Sequence, residues 1–173
     1  LLKKYYANIK IFGYKTGKKC NDWIIPPSWD VKKGLLKDSK GKIIADWHKN
    51  KLSLWSYSPS FVGKIQKSDL IKKIYTDSNR PDATPYHFKN MYNFEDAKWG
   101  FSLPWNIVKA MPDGAYEVDI KTSFSKGKLE MAEQIHLGKN KDSLLLVGHF
   151  DHPQMCLDGL VGCLAGHETI SRM

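Results

Sequence analysis

The run from Leu144 to Gly162, LLLVGHFDHPQMCLDGLVG, constrains this chain more than any other stretch. Four consecutive apolar residues, Leu144 to Val147, predict a strand buried on both faces, as in a parallel sheet, because a strand with one wet face alternates. His149, Asp151 and His152 follow at the carboxyl end of that predicted strand, where open α/β sheets place their ligands. Asp158 comes six residues after His152, and Gly159 and Gly162 allow close backbone approach at the start of a predicted helix. Two imidazoles and two carboxylates within ten residues suit a divalent ion such as zinc. The same residues admit a plainer reading. A histidine at a strand end is commonly a hydrogen-bonded loop residue, and an aspartate ahead of a helix is commonly its cap.

With 173 residues, 42% of them hydrophobic and 26% charged, the chain has material for a buried core. The net charge of +9 is nearly all lysine, spread as Lys3-Lys4, Lys18-Lys19, Lys32-Lys33 and Lys72-Lys73. Scattered pairs describe a solvated surface and argue against nucleic-acid binding, which needs a focused patch. Cys20, Cys156 and Cys163 form no Cys-x-x-Cys pair, so neither a disulfide framework nor a zinc finger is indicated and a reducing compartment fits. No apolar run approaches the ~18 residues of a membrane span, and Leu1-Leu2-Lys3-Lys4 lacks the apolar core of a leader. The expectation is a soluble cytoplasmic protein with no membrane partner. Its first residue is not methionine, which predicts a native amino terminus further upstream.

Elsewhere the chain reads as short extended segments broken by turns. Tyr5 to Tyr14 alternates in strand fashion ahead of the turn Lys15-Thr16-Gly17-Lys18. Trp23 to Ile25 continues extended, and Pro26-Pro27 forbids helix there. Val31 to Leu36 and Lys42 to Ala45 predict strands joined by Asp38-Ser39-Lys40-Gly41, and Leu52 to Tyr57 predicts another. Ser68 is read as the cap of a short helix, and Pro104 to Ala110 as a second helix stopped by Pro112-Asp113-Gly114. Asn79 to Pro85 predicts a loop open to proteases. Ala115 to Thr122 and Lys128 to His136 predict a hairpin around Ser125-Lys126-Gly127. His87, Tyr92, Trp99, Phe101 and Trp105 crowd one span. Packing is the ordinary explanation of such aromatic density; a platform for carbohydrate or peptide is the sharper one.

Three further motifs complete the pattern: Cys20-Asn21-Asp22-Trp23-Ile24-Ile25-Pro26-Pro27-Ser28-Trp29-Asp30-Val31, Trp99-Gly100-Phe101-Ser102, and Asp113-Gly114-Ala115-Tyr116-Glu117-Val118. With His149-x-Asp151-His152-Pro153 and Cys156-Leu157-Asp158-Gly159-Leu160-Val161-Gly162, they occur in the order of a bacterial aminopeptidase-like family associated with polysaccharide biosynthesis clusters, which the chain resembles. That family is built on the fold of the dizinc aminopeptidases. Its pattern has His-x-Cys-His-Pro, so Asp151 stands in the cysteine position and regenerates the His-x-Asp pair of the wider clan. Gly166-His167-Glu168-Thr169-Ile170-Ser171 resembles the family's later Pro-Glu-Thr-Ile-Gly-Ser but arrives early.

The resemblance implies an α/β fold: the start of an aminopeptidase-like mixed sheet with a small antiparallel α+β accessory domain. Residues 1–19 would be an edge-strand region of the hydrolase-like part, 20–112 the inserted accessory domain, and 113–173 a partial zinc-aminopeptidase-like domain. It implies a zinc-dependent hydrolase of a peptide or amide bond, with His152, Asp158 and His149 as metal ligands and Asp151 and Glu168 as catalytic groups. Asp158 would bridge two ions, and whether His149 or His152 is the ligand stays open. Catalytic zinc takes about three protein ligands per ion, more than these residues supply, so a truncated chain is expected. A homodimer or a missing domain would then complete the sheet. Two other classes remain beside the hydrolase: a metal-free module that binds carbohydrate or peptide, and a basic nucleic-acid adaptor.

Overall fold

The computed structural model describes residues 9–139, 141–150 and 157–172. Its described strands are β1 (Lys10–Lys15), β2 (Lys19–Cys20), β3 (Trp23–Ile24), β4 (Ser28–Lys37), β5 (Ile43–Asp46), β6 (Phe61–Gln66), β7 (Ile74–Tyr75), β8 (Phe101–Ser102), β9 (Ala115–Ser125) and β10 (Lys128–Glu133). The architecture is mixed α/β, mostly antiparallel, with few helices. Contacts divide the chain into Tyr14–Leu129 and a second unit made of Leu1–Gly13 with Glu130–Met173.

The Tyr14–Leu129 unit is organised by a four-stranded sheet in the order β5-β4-β9-β6, antiparallel throughout. In β9 the alternation is clean: Tyr116, Val118 and Ile120 are buried while Glu117 and Lys121 face water. In β4 a bulge between Val31 and Lys33 shifts the register, so Val31, Gly34 and Leu36 share the buried face where strict alternation would have put Leu35 there. Gly34 is needed at that point, since a Cβ on it would meet Trp47 Cβ at 3.0 Å and a Leu54 methyl at 3.1 Å. The expected turn joins β4 to β5: the Asp38 carboxylate accepts from the amides of Lys40 and Lys42, and Gly41 takes φ +80°. Leu54, Leu70, the parallel pair β7–β8 and the helix Trp105–Ala110 complete the core around Phe101, Leu103 and Val108.

Several sequence expectations give way here. Leu52 to Tyr57 is not a strand. Asn50 Oδ1 accepts from the Leu52 amide and starts a 3-10 turn, Lys51–Ser53, while Tyr57 sits at φ +60°, outside strand geometry. Leu54 keeps a single bridge to Phe101. Ser68 lies inside the helix Lys67–Leu70, whose cap position is Gln66. The expected hairpin does not form either: β9 has both edges occupied by β4 and β6, and β10 pairs with β1. Gly127 is held by Thr16 instead, through Thr16 N–H to Gly127 O at 3.0 Å and Gly127 N–H to Thr16 Oγ1 at 3.0 Å. β9 belongs to the sheet of the Tyr14–Leu129 unit, and the contact division falls at 129/130.

The described part of the second unit carries a π-helical turn, Leu157–Val161, continued by the helix Gly162–Ser171. Leu144 to Val147, read as a buried strand, form no strand and are exposed, with Leu145 and Val147 each at 82%. The physical reason is pairing: no described strand lies in a ladder with them, and without a ladder neighbour an apolar run has nothing to be buried by.

Candidate functional site

Among the described residues, a close approach holds the start of the stretch with the metal-ligand pattern. A Cβ on Gly148 would meet Cys163 Sγ at 2.7 Å and the Cys163 Cα and N at 3.0 Å, so only glycine lets this segment cross the start of the helix Gly162–Ser171. Cys163 Sγ lies 3.6 Å from His149 O, and burial pushes its thiol pKa up, which leaves it a protonated thiol at neutral pH. Gly159, buried at φ +95°, turns the backbone immediately after Asp158. The His149 side chain is exposed.

The remaining sequence-predicted groups are distributed as follows. Asp151 and His152 lie outside the described residues, as does the side chain of Asp158, whose backbone is in the π-helical turn. Glu168 is on the helix, and its Oε1 accepts from Arg172 Nε at 2.7 Å and Nη2 at 2.6 Å. Among the described residues no three His, Cys, Asp or Glu side chains converge as a metal site. No described helix is long and apolar enough to cross a membrane.

Packing accounts for most of the aromatic span. Trp99 and Phe101 are core residues, and Trp99 stacks on Phe61 with ring centroids 4.4 Å apart. His87 lies flat on Trp55, 4.0 Å between centroids at 10°, with the edge of Tyr75 against it. Burial, with Lys89 second, holds the His87 pKa below the ordinary histidine value. Tyr92 alone of the five stands well out, at 66% exposure.

Tyr92 borders a cavity of about 120 Å³ formed by residues 22–24 and 92–95. Its polar side chains, Asp22, Asn93 and Glu95, were not singled out by sequence reasoning. The available signal was local: Asp22-Trp23 and Phe94-Glu95 each place an acid beside an aromatic in a chain otherwise dominated by lysine. What the sequence lacked was the fold that brings positions seventy residues apart together.

Residues 28–123 match the model of a family described as "Domain of unknown function (DUF2172)". A curated Clostridium acetobutylicum protein named "Putative polysaccharide biosynthesis protein with aminopeptidase-like domain" is 31% identical over 154 residues, covering 89% of this chain and 35% of that protein. The chain thus spans about a third of the length of the curated relative it matches. A crystal structure titled as a putative peptidase, also from Clostridium acetobutylicum, superposes with a TM-score of 0.83 at 29% identity, over 99% of this chain and 40% of that one. These matches bear out the resemblance carried by the ordered motifs, of which Trp99 to Ser102 and Asp113 to Val118 fall inside the family match.

Proposed function

Since the chain belongs to the family described as "Domain of unknown function (DUF2172)", we propose that it works as part of an aminopeptidase-like hydrolase of peptide or amide bonds, tied to polysaccharide biosynthesis. The observation that carries this reading is the agreement, over 99% of this chain, with a crystal structure titled as a putative peptidase. Residues 14–129 then serve as the accessory module, and residues 144–168 contribute one edge of the reaction site.

The donor set fits zinc by its chemistry. His149, His152 and Asp158 offer nitrogen and oxygen donors, and Gly148, next to His149, lies against Cys163 in the first turn of the helix that follows Asp158. Zinc bound there supplies Lewis acidity and a water whose pKa falls to about 7. His152 and Asp158 hold the ion. The His149–Asp151 pair orients or completes the set, the carboxylate fixing which imidazole nitrogen carries the proton. Glu168 would take the proton from the attacking water, and its exposed pair with Arg172 costs little to release.

Zinc content after dialysis, measured beside hydrolysis of aminoacyl amides, tests the reading. The His152→Ala chain is expected to lose bound zinc altogether, while His149→Ala weakens binding by about 10- to 100-fold if it acts through another ligand. The reverse order moves the ligand to His149. A wild-type chain that takes up no zinc on reconstitution overturns the proposal.

A further inference from the structure

Two turns far apart in sequence meet at the Thr16–Gly127 bonds, and both are rich in lysine. Gly17, at φ +85°, closes the first turn: its amide donates to Ile25 O at 2.8 Å, and the Lys18 amide returns to Lys15 O at 3.1 Å. Lys15, Lys18 and Lys19 lie close to Thr16 in the chain, and Lys126 and Lys128 stand on either side of Gly127. All of them are exposed. Lys15, Lys18, Lys19 and Lys126 form no ion pair with a described residue. Neither residues 14–20 nor residues 123–129 contain an acid. The acids around them are Asp22 at the tip of the β2–β3 hairpin, Asp30 opposite Ser123, Asp119 held by Lys33, and Glu130. Lysines that are scattered along the sequence are thus gathered by the fold into one cationic surface of the Tyr14–Leu129 unit.

We propose that this surface docks the protein peripherally on an anionic lipid membrane. Aliphatic side chains are exposed among the lysines: Ile24, the ladder partner of Lys19, at 42%, and Leu129, next to Lys128, at 40%. Basic groups interleaved with exposed apolar ones are what an anionic bilayer interface takes up, the ammonium groups at the headgroups and the hydrocarbon just below them. Lys18 Nζ lies 4.6 Å over the Tyr14 ring, and a tyrosine is at home at that same depth. A contact of this kind needs no span, so it is compatible with a chain in which no described helix is long and apolar enough to cross a membrane.

The aliphatic groups separate a lipid surface from the main competitor, a polyanion in solution. A nucleic acid or an acidic glycan would engage the ammonium groups but leave Ile24 and Leu129 in water, whereas a bilayer interface gives them somewhere to go. The choice of cation points the same way. Neither segment contains arginine, whose planar fork is the group of choice for pairing with individual phosphates along a nucleic acid. Lysine is a compact point charge, suited to the diffuse field of a surface. One lysine binds such a surface weakly, and clusters of about four to eight are what hold a protein there. The Thr16–Gly127 bonds supply a cluster of that size from two segments, neither of which has it alone.

The test sediments the whole chain with vesicles of phosphatidylcholine alone and with vesicles of equal parts phosphatidylcholine and phosphatidylglycerol. Binding is expected on the anionic vesicles and not on the neutral ones, and it should fall steeply from ~0.05 to ~0.5 M salt as screening shortens the reach of the lysines. The Lys18→Gln/Lys126→Gln chain should bind about 25-fold more weakly, at about five-fold per lysine. Lys40→Gln/Lys42→Gln removes the same charge from the exposed β4–β5 turn and should bind as the parent does. Ile24→Ser and Leu129→Ser change exposed positions, so the fold persists; each should weaken vesicle binding several-fold and leave any retention on a single-stranded DNA oligonucleotide as it was. Equal binding to both kinds of vesicle would assign the effect to the exposed Leu144 to Val147 run, equal losses in the two lysine pairs to net charge, and tighter retention on the oligonucleotide or on polygalacturonate to a polyanion in solution. Each of these outcomes overturns the proposal, as does the absence of vesicle binding or its persistence unchanged in both serine variants. Failure of zinc binding or hydrolysis leaves it standing.

Discussion

In the Tyr14–Leu129 unit Leu36, Leu70, Phe101 and Ile120 are completely shielded, whereas Leu145 and Val147, in the most apolar run of the chain, stand 82% exposed. Side-chain chemistry is the same in both places, so hydrophobicity alone does not decide burial. What differs is the ladder. β9 has a partner on each edge and buries every second residue on a core built by helices and turns, and Leu144 to Val147 have no described strand beside them. The transfer free energy of about 25 cal/mol per Å² of apolar surface is realised only where backbone pairing has first provided a surface to close against.

The largest expected effect breaks that comparison from the packed side. Phe101 is 0% exposed, lies at the meeting of β7, β8 and the Leu54 bridge, and receives the indole hydrogen bond of Trp55 on its carbonyl at 2.8 Å. Phe101→Ala should cost about 3–5 kcal/mol, the range for deleting a buried ring. For a chain of this size that lowers the melting temperature by about 6–20 °C, read by thermal unfolding. A shift below ~3 °C would mean that the shielding in this unit is not that of a packed core.

Gly100 sharpens the same point with one methyl group. A Cβ there would lie 2.5 Å from two Trp55 ring carbons and 2.6 Å from the Lys73 carbonyl, the first a ring stacked on His87 and the second backbone. Gly100→Ala should destabilise by about 1–3 kcal/mol through overpacking, detectable as a lower denaturant midpoint with an unchanged slope. Gly138→Ala, whose Cβ meets nothing within 4 Å, is the matched control in the other unit and should leave the midpoint where it is.

Acid probes the module differently. His87 has its pKa held down by burial and by Lys89, between the face of Trp55 and the edge of Tyr75. The unfolded chain therefore binds the proton first as pH falls below about 6.5, the ordinary histidine value. Stability present at neutral pH is lost through that window until the depressed folded pKa is reached, because protons are then taken up by the unfolded state alone. His87→Phe keeps a ring in the stack and removes the titration. The loss of stability between pH 7.5 and 5.0 should be smaller in the variant than in the parent; equal losses would assign the acid sensitivity to other groups.

The legibility of the sequence divides along the same line. Turns written into side-chain chemistry were readable: Asp38 to Gly41, Lys15 to Lys18, and the helix opening after Pro104. So was the family, because its motifs are spread through the chain in order. Strand partners were not. The Thr16–Gly127 bonds that replace the expected hairpin join residues 111 apart, and the bulge in β4 reassigns Leu35 and Leu36 by one position. The cavity beside Tyr92 was invisible for that reason: each half is an unremarkable acid–aromatic pair until the fold sets them opposite one another. Asn79 to Pro85, read as the open loop, is in fact tied down, since Asn106 N–H donates to Pro81 O, Asn106 Nδ2 to Asp82, and Asn50 Nδ2 to Thr84.

That last correction leads to the smallest effect. If burial follows pairing, Leu145→Ala should change stability by less than about 0.5 kcal/mol, as an exposed substitution does, despite removing an isobutyl group from the most apolar run in the chain. Amides of residues 143–149 should exchange quickly while those of β4, β6 and β9 exchange slowly, and limited proteolysis should cut within 134–149 before it touches 79–85, because a cut needs a backbone that can leave its hydrogen bonds. Slow exchange over Leu144 to Val147 in the wild-type chain, with a Leu145→Ala cost of 2 kcal/mol or more, would show that this run acquires a ladder partner in solution. The two regions would then differ only in where the partner comes from.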